Sequence, residues 1–293
     1  MALLGRHAKR SALRSIPTPD VSFASATGLP AVYLRGGCKT VEGKTVLDDV
    51  LLTISRGEVV SVVGPSASEL ETLMRCLALL EPFDAGVLAY GALQVTSKTD
   101  DGGMSYDKQA AHDARARLGV VFGDLNLFPH FTALRNVSDV LVVAHRRTKD
   151  EAESRARKLL SRFGLAECVD KYPTELSAWQ QFCVAVCRAL AVNPKLVYFG
   201  DVSQTLGTAL LEDAFALMRE LAADGLGVGV FTGRVNQAAK ASDRLVLLMD
   251  GCVADTGTPT EVLRDPQDPR AQAYLASEER RALRNTFDSR MFL

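Results

Sequence analysis

The fold is decided by one stretch, Val59-Val60-Ser61-Val62-Val63-Gly64-Pro65-Ser66-Ala67-Ser68-Glu69-Leu70-Glu71-Thr72. A short apolar run reaches a glycine and continues into a helix-like segment, which is the layout of a phosphate-binding loop, G-x-x-x-x-G-K-[ST]. The second glycine, the lysine and the hydroxyl residue of that motif fall on Glu69, Leu70 and Glu71. The layout is therefore present, whereas the residues that would contact phosphate are replaced.

The composition is that of a folded chain with a substantial core. Of the 293 residues, 47% are hydrophobic and 24% are charged. The length suits one large domain or two small ones. The formal net charge is -1, and this near balance argues against nucleic acid as a partner. No apolar run reaches the ~18 residues that a membrane-spanning helix needs.

The six cysteines form no Cys-x-x-Cys pair. No histidine near Cys183 and Cys187 completes a metal site. We predict reduced cysteines packed in a core, and no metal.

The two ends of the chain differ from its middle. Five basic residues precede the first acidic residue, Asp20: Arg6, His7, Lys9, Arg10 and Arg14. We predict that residues 1–30 form a disordered basic tail, with attraction to an anionic membrane surface or an organelle transit peptide as alternatives. Residues 279–293 are predicted to be a C-terminal tail.

The sequence predicts several strands and one helix in the first half of the middle region. Alternating apolar residues over 31–54 predict antiparallel strands, and Val59–Val63 predicts a strand buried on both faces. Polar residues 97–107 predict an exposed loop. The helix after the opening strand is predicted to end at Glu81-Pro82 and carries apolar residues at helical spacing: Leu73, Met74, Leu77 and Leu80.

The second half predicts helices followed by three strands. Thr148 and Glu151 form a capping-box pattern, Gly164 is a natural helix stop, and another helix is expected over about 177–192. Alternation of apolar strands with helices predicts a largely parallel sheet covered by helices. These strands are expected at Leu196–Phe199, Val228–Phe231 and Leu245–Met249.

Four groups of residues carry a family resemblance. They are Gly64-Pro65-Ser66 with residues 72–82, residues 118–130, Leu176-Ser177 with Gln180-Gln181 and residues 184–191, and residues 242–251. On these, the chain resembles the ATP-binding cassette (ABC) family, most closely the ATPase subunits of polar amino-acid importers. The resemblance covers about residues 31–278. It implies an α/β fold in a single ABC-type domain, with a RecA-like, mostly parallel sheet, an antiparallel β subdomain and a helical subdomain at about 125–192.

The resemblance implies roles that the opening loop no longer fulfils. The family's phosphate-binding lysine falls on Leu70, and its magnesium-binding hydroxyl falls on Glu71. The glycine before the lysine falls on Glu69, whose carboxylate is expected near the phosphates. The remnant of the loop is Gly64, Pro65, Ser66, Ala67, Ser68, Glu69 and Thr72. Ser66, Ser68 and Thr72 either cap the following helix or still contact phosphate, and we favour capping.

The other catalytic positions are altered as well. The glutamine that senses the γ-phosphate, the Walker B aspartate and the switch histidine fall on Gly123, Gly200 and Gly233. The catalytic glutamate falls on Asp201, which is either a residual base or idle, and we favour idle. Two further positions of the family pattern, the adenine-stacking aromatic residue and a loop aspartate, fall on Val41 and Gly207.

The family's signature Leu-Ser-Gly-Gly-Gln also departs from its pattern. It reads Leu176 followed by Ser177, Ala178, Trp179 and Gln180. The resemblance implies that a partner's nucleotide approaches this segment closely. An indole at Trp179 would obstruct that approach.

Magnitudes argue against ATP and magnesium as cofactors, although the resemblance implies both. Two carboxylates about 5 Å from the phosphates each cost roughly 3 kcal/mol at an effective dielectric near 20. Losing an aromatic platform costs roughly 1–3 kcal/mol more. A micromolar site has only about 8 kcal/mol in total. We therefore predict weak ATP binding or none, and no hydrolysis.

Three functions remain open from the sequence. The first is a noncatalytic subunit that docks to a transmembrane transporter subunit at the inner, cytoplasmic face of the cell membrane, as a homodimer or with another ABC subunit. The second is an active ATPase that drives amino-acid uptake, and the third is a soluble pseudo-ATPase with an interaction or regulatory role. The resemblance implies a docking surface at Leu127, Phe128 and Phe131, which could instead only pack the helical region.

Overall fold

The computed structural model describes residues 28–98 and 104–278. The predicted tails, except for residues 28–30, and the centre of the predicted 97–107 loop lie outside the described residues. Within the described ranges, no helix combines the length and the apolar character that crossing a bilayer requires.

Strands and helices alternate along the chain. The strands are β1 (Val32–Val41), β2 (Lys44–Ile54), β3 (Val59–Val63), β4 (Ala85–Tyr90), β5 (Leu93–Gln94), β6 (Thr96–Lys98), β7 (Met104–Tyr106), β8 (Leu118–Val121), β9 (Leu196–Phe199), β10 (Gly227–Thr232), β11 (Arg244–Met249) and β12 (Cys252–Gly257). The α-helices are α1 (Ala67–Leu77), α2 (Lys108–Arg115), α3 (Ala133–Val143), α4 (Lys149–Arg162), α5 (Ala178–Ala191), α6 (Ser203–Ala223), α7 (Val235–Ala241) and α8 (Pro259–Arg264), and residues 269–278 are again helical.

The central sheet has six strands in the order β12-β11-β3-β10-β9-β8. Its strands are parallel except for β12, which pairs antiparallel with β11. All five residues of β3 are buried, because the sheet is covered on both faces. The predicted α/β fold with a mostly parallel sheet is confirmed.

A smaller antiparallel sheet packs above the central one. Its order is β2-β1-β4-β5, and Val32 of β1 pairs with Ile54 of β2. The antiparallel strands predicted over 31–54 are therefore confirmed.

Two apolar cores lie on opposite faces of the central sheet. Side chains of β3 alternate between them, with Val59 and Val63 in one core and Val60 and Val62 in the other. The first core includes α3, α4, α5 and α6, and the second includes α1 and the small sheet. The strand before the opening loop is thus fixed from both sides.

Helix α1 ends earlier than predicted. It stops at Leu77, and Leu79 takes a left-handed backbone conformation with φ of 60°. The N–H groups of Leu79 and Leu80 donate to the carbonyls of Cys76 and Arg75 at 3.1 and 3.0 Å, which is a Schellman ending. The predicted end at Glu81-Pro82 is wrong, and Leu80 lies outside the helix with 50% of its surface exposed.

Two other local predictions have different outcomes. The 97–107 segment is not simply a loop, because β6 and β7 pair antiparallel there. The capping box of Thr148 and Glu151 at the start of α4 is confirmed, and Gly164 follows that helix with φ of 71°.

Candidate functional site

A cleft of about 700 Å³ opens at the carboxyl ends of β3, β8, β9 and β10. Ligands of open parallel sheets bind at this edge, which makes it the candidate site. The structure brings nine of the predicted positions together as its lining: Gly64, Pro65, Ala67, Leu70, Glu71, Gly123, Gly200, Asp201 and Gly233.

The loop after β3 is short because α1 begins at Ala67. Ser66 is the N-cap, and its hydroxyl accepts the N–H of Glu69 at 3.3 Å. The N–H of Leu70 donates to the carbonyl of Ser66 at 3.2 Å. In a phosphate-binding loop such N–H groups face the ligand. Here two of them already have partners within the protein, and Ser66 caps the helix as favoured above.

Glu69 departs from its predicted location. Its carboxylate was expected to face the cleft, but Oε2 accepts the N–H of Gly251 at 3.1 Å, in the turn between β11 and β12. The turn offers a backbone donor to the first turn of α1, where negative charge is also favourable. Of the two loop glutamates, Glu71 lines the cleft.

Leu70 lies where the resemblance places a lysine. Only 4% of its surface is exposed, and it belongs to the same core as Leu73 and Met74. A leucine offers neither a donor nor a charge. The floor of the cleft at this point is therefore apolar.

Two glycines let the loops after β8 and β9 approach closely. A Cβ on Gly123 would lie 2.5 Å from the carbonyl oxygen of Asp201, and a Cβ on Gly200 would lie 3.0 Å from the nitrogen of Gly123. The sulfur of Met74 would be 3.5 Å from the Cβ at Gly200. Neither position has room for a longer side chain unless the backbone moves.

The other two glycines differ from each other. Gly207 has φ of 65° and ψ of 176° at a kink inside α6. This combination of backbone angles is essentially restricted to glycine. A Cβ on Gly233 would meet nothing nearer than the carbonyl oxygen of Gly64 at 3.7 Å. Gly233 could therefore carry a side chain.

Asp201 is engaged on both carboxylate oxygens. Oδ1 accepts the N–H of Ser203 at 2.9 Å, while Oδ2 accepts the hydroxyl of Thr232 at 2.9 Å and the N–H of Gly233 at 3.1 Å. Burial raises the pKa of Asp201, but the hydrogen bonds from Ser203, Gly233 and Thr232 outweigh it and hold the pKa below its ordinary value. Asp201 is thus neither idle nor free to act as a base.

The signature remnant lies at the start of α5 and does not line the cleft. Ser177 and Gln180 form a reciprocal capping box, and the ring of Trp179 lies 5.4 Å from that of Phe182. Ala178 is the first residue of the helix. The predicted signature residues therefore start and pack a helix in this structure.

The predicted docking residues lie on the loop between β8 and α3. The rings of Phe128 and Phe131 are 5.1 Å apart, and the guanidinium carbon of Arg135 lies 3.8 Å from the centre of the Phe131 ring. Phe128 is 47% exposed, whereas Leu127 is partly buried against the core. We call Phe128, His130, Phe131 and Arg135 the aromatic patch.

Sequence reasoning missed the two residues that hold this loop. Asn136 is 1% exposed, accepts the N–H of Phe128 at 2.8 Å and donates to the carbonyls of Phe128, Phe131 and Thr132 at 3.1 Å. Arg188 donates to the carbonyls of Leu125 and Asn126, both at 2.7 Å. A polar residue on the buried face of α3 was the available signal.

Residues 47–201 match the sequence model of the family described as ABC transporter, which is slightly over half of the chain. The chain belongs to the ABC transporter family. The resemblance found in the sequence is confirmed.

Curated proteins are similar in sequence to this cassette over most of its length. The arginine transport ATP-binding protein ArgV of Corynebacterium glutamicum is 34% identical over 241 residues, which cover 82% of this chain and 95% of the relative. The glutamine transport ATP-binding protein GlnQ of Escherichia coli is 36% identical over 230 residues, which cover 78% of this chain and 92% of the relative.

Solved structures share the fold of this ABC cassette. The cassette MJ0796, described as dimeric and bound to ADP and Pi, has a TM-score of 0.66 and 30% identity, covering 78% of this chain and 98% of that one. The protein cbiO1 from Clostridium perfringens has a TM-score of 0.68 at 21% identity, covering 81% of this chain and 92% of that one. The second likeness concerns the fold alone.

Proposed function

We propose that this chain is a noncatalytic ABC subunit that docks to the transmembrane subunit of a polar amino-acid importer, at the inner face of the cell membrane. It binds ATP weakly or not at all and does not hydrolyse it. The observation that carries this proposal is the burial of Leu70 in an apolar core, at the position where the family has its phosphate-binding lysine. We take residues 31–278 as the cassette domain and about 125–192 as its helical subdomain.

The residues of the cleft do not fit ATP and magnesium, which the family as a whole implies. A phosphate-binding loop supplies free N–H groups, a lysine and a hydroxyl ligand for magnesium. Here the N–H groups of Glu69 and Leu70 have partners, and Glu71 would bring negative charge toward the phosphates. The carboxylate of Asp201 has both oxygens engaged. We therefore assign no hydrolytic step to this cleft.

Two arginines line the cleft without restoring the loop's chemistry. The Nε of Arg75 donates to Glu81 at 2.6 Å, so that guanidinium is already paired. Arg234 follows β10 and is not part of the loop between β3 and α1. Neither supplies a cation at the position of Leu70.

The proposed partner is supported by relatives and by the aromatic patch. ArgV and GlnQ are described as transport ATP-binding proteins, for arginine and glutamine. Clusters of aromatic and arginine side chains carry most of the energy at protein interfaces. Asn136 and Arg188 fix the loop that presents this patch, so little conformational freedom would be lost on binding.

Pairing with a second cassette is the other partnership that we propose. The chain would pair either with itself or with another ABC subunit. In a head-to-tail pair each site joins one subunit's loop to the other's signature segment. With an intact partner subunit, one composite site would contain the altered loop, and the other would contain Ala178 and Trp179. We expect both to be impaired.

An ATPase assay on the purified chain tests the proposal. We expect no magnesium-dependent turnover above background, with Asp201→Ala as the matched control. Turnover that stays with the protein through successive columns and disappears in Asp201→Ala would instead establish an active ATPase. Inactivity without co-purification of a transmembrane subunit would favour the soluble regulatory protein.

A further inference from the structure

We infer that internal ties hold the loops around the cleft in one conformation, so that the cassette is fixed without any nucleotide. This inference rests on the proposed noncatalytic function. The ties are three sets of contacts made by Thr205, Asp201 and Glu69. Each joins two segments of the chain through hydrogen bonds.

The first tie joins the loops after β8 and β9. The hydroxyl of Thr205, in the first turn of α6, donates to the carbonyl of Gly123 at 2.6 Å. The N–H of Gly200 donates to the carbonyl of Val121 at 2.9 Å. These bonds need the close approach that Gly123 and Gly200 allow. The space that a longer side chain would need is filled by backbone.

The second tie joins the loops after β9 and β10. Asp201 accepts a hydrogen bond from Ser203 on its own loop and two from Thr232 and Gly233 on the other. Thr232 is 3% exposed, so its side of this contact is shielded from water. Hydrogen bonds to an ionised carboxylate are stronger than those between neutral groups. Asp201 is thus a positioning residue for both loops.

The third tie joins the start of α1 to the turn after β11. Glu69 bonds the N–H of Gly251, and the carbonyl of Gly251 accepts the N–H of Asp48 from β2 at 2.9 Å. The carboxylate also places a negative charge in the first turn of α1. A helix N-terminus favours such a charge, as it would favour phosphate. The helix is therefore supplied with an anion by its own chain.

Hydrogen exchange of the free protein tests these ties directly. In the unaltered chain the amides of Gly200, Ser203 and Gly233 should exchange slowly in the absence of nucleotide. Asp201→Ala should accelerate exchange at Ser203 and Gly233 by about tenfold or more, because it removes their acceptor. The matched control is Asp213→Ala, since Asp213 is exposed on α6.

The steric part of the inference has its own pair of variants. Gly123→Gln should lower the Tm by about 5 °C or more, because its Cβ would meet the backbone of Asp201. Gly233→His should change the Tm by less than about 2 °C, because that position is open. Both changes introduce the residue type that the family has at that position. A difference in Tm between the two variants would therefore reflect the space available at each glycine.

The outcomes separate this inference from the proposed function. Fast exchange at these amides in the free protein, or equal Tm values for Gly123→Gln and Gly233→His, would overturn the ties and leave the noncatalytic function standing. Slower exchange on addition of magnesium and ATP would overturn the proposed function as well. Slow exchange that ATP does not alter, together with the Asp201→Ala effect, is the result we expect.

Discussion

Restoring the phosphate-binding loop should restore triphosphate binding only when the charge of Glu71 is removed. The full repair is Ala67→Gly, Glu69→Gly, Leu70→Lys and Glu71→Ser. It restores the glycine content of the loop, adds a cation and supplies a metal ligand at once. Leu70→Lys alone should add little affinity, because Glu71 would leave a negative charge in the same cleft.

The structure makes the two glutamates unequal. A carboxylate about 5 Å from a phosphate charge costs roughly 3 kcal/mol at an effective dielectric near 20, which is a factor of more than about 100 in Kd. Glu71 lines the cleft and should carry this cost, whereas Glu69 is bonded to Gly251. The full repair should therefore bind at least about 100-fold more tightly than the same variant with Glu71 retained.

Calorimetric titration with ATP and magnesium measures this difference. Replacing Leu70 also removes a buried side chain, which costs about 1.5–3 kcal/mol of unfolding free energy, so the titrations belong well below each variant's Tm. Equal affinity with and without Glu71→Ser would refute the charge argument. Full recovery of ATP affinity by Leu70→Lys alone would refute the argument that the four changes must act together.

Three further outcomes follow from the same contacts. Phe131→Ala should weaken the association with a co-expressed transmembrane subunit by about 2 kcal/mol, measured by co-purification. The control Val143→Ser, at the exposed end of α3, should leave that association unchanged. An equal loss in both variants would count against the aromatic patch. Asn136→Ala should weaken the same association and lower unfolding free energy by ~1–3 kcal/mol, because it leaves the Phe128 N–H without its acceptor; an unchanged pull-down would contradict this. The pKa of Asp201 is depressed in the folded state, so the stabilisation from its carboxylate is fully present above the ordinary pKa of 3.8 and is lost as pH falls through the folded pKa. In thermal scans, the difference in Tm between the unaltered chain and Asp201→Asn should therefore shrink only below about pH 4. A difference that stays constant down to about pH 2 would contradict this.

The sequence was sufficient to predict those parts of the fold that depend on local pattern. The run Val59–Val63 has no polar side chain except Ser61, and it forms the strand that is buried on both faces. Thr148 with Glu151 starts α4 as the capping box predicts. Both signals lie within a few neighbouring residues, where propensity and hydrogen bonding are set by the sequence itself.

The remaining features depend on contacts between distant parts of the chain. Glu69 meets a partner 182 residues away, so no local pattern could redirect its carboxylate. Leu79 ends α1 in a left-handed conformation that usually signals glycine, and its sequence carries no such mark. The approach of Gly123 to Asp201 likewise appears only when neighbouring strands are placed side by side.

The central claim is that the cleft of this ABC subunit has no working nucleotide site. The direct measurement is a calorimetric titration of the unaltered chain with ATP, with and without magnesium, beside the four-residue repair as a positive control. We predict no saturable heat for the unaltered chain up to millimolar ATP, where binding free energy would be only about 4 kcal/mol. Magnesium-dependent saturation at micromolar ATP, from a chain that has Leu70 in place of lysine, would contradict the account.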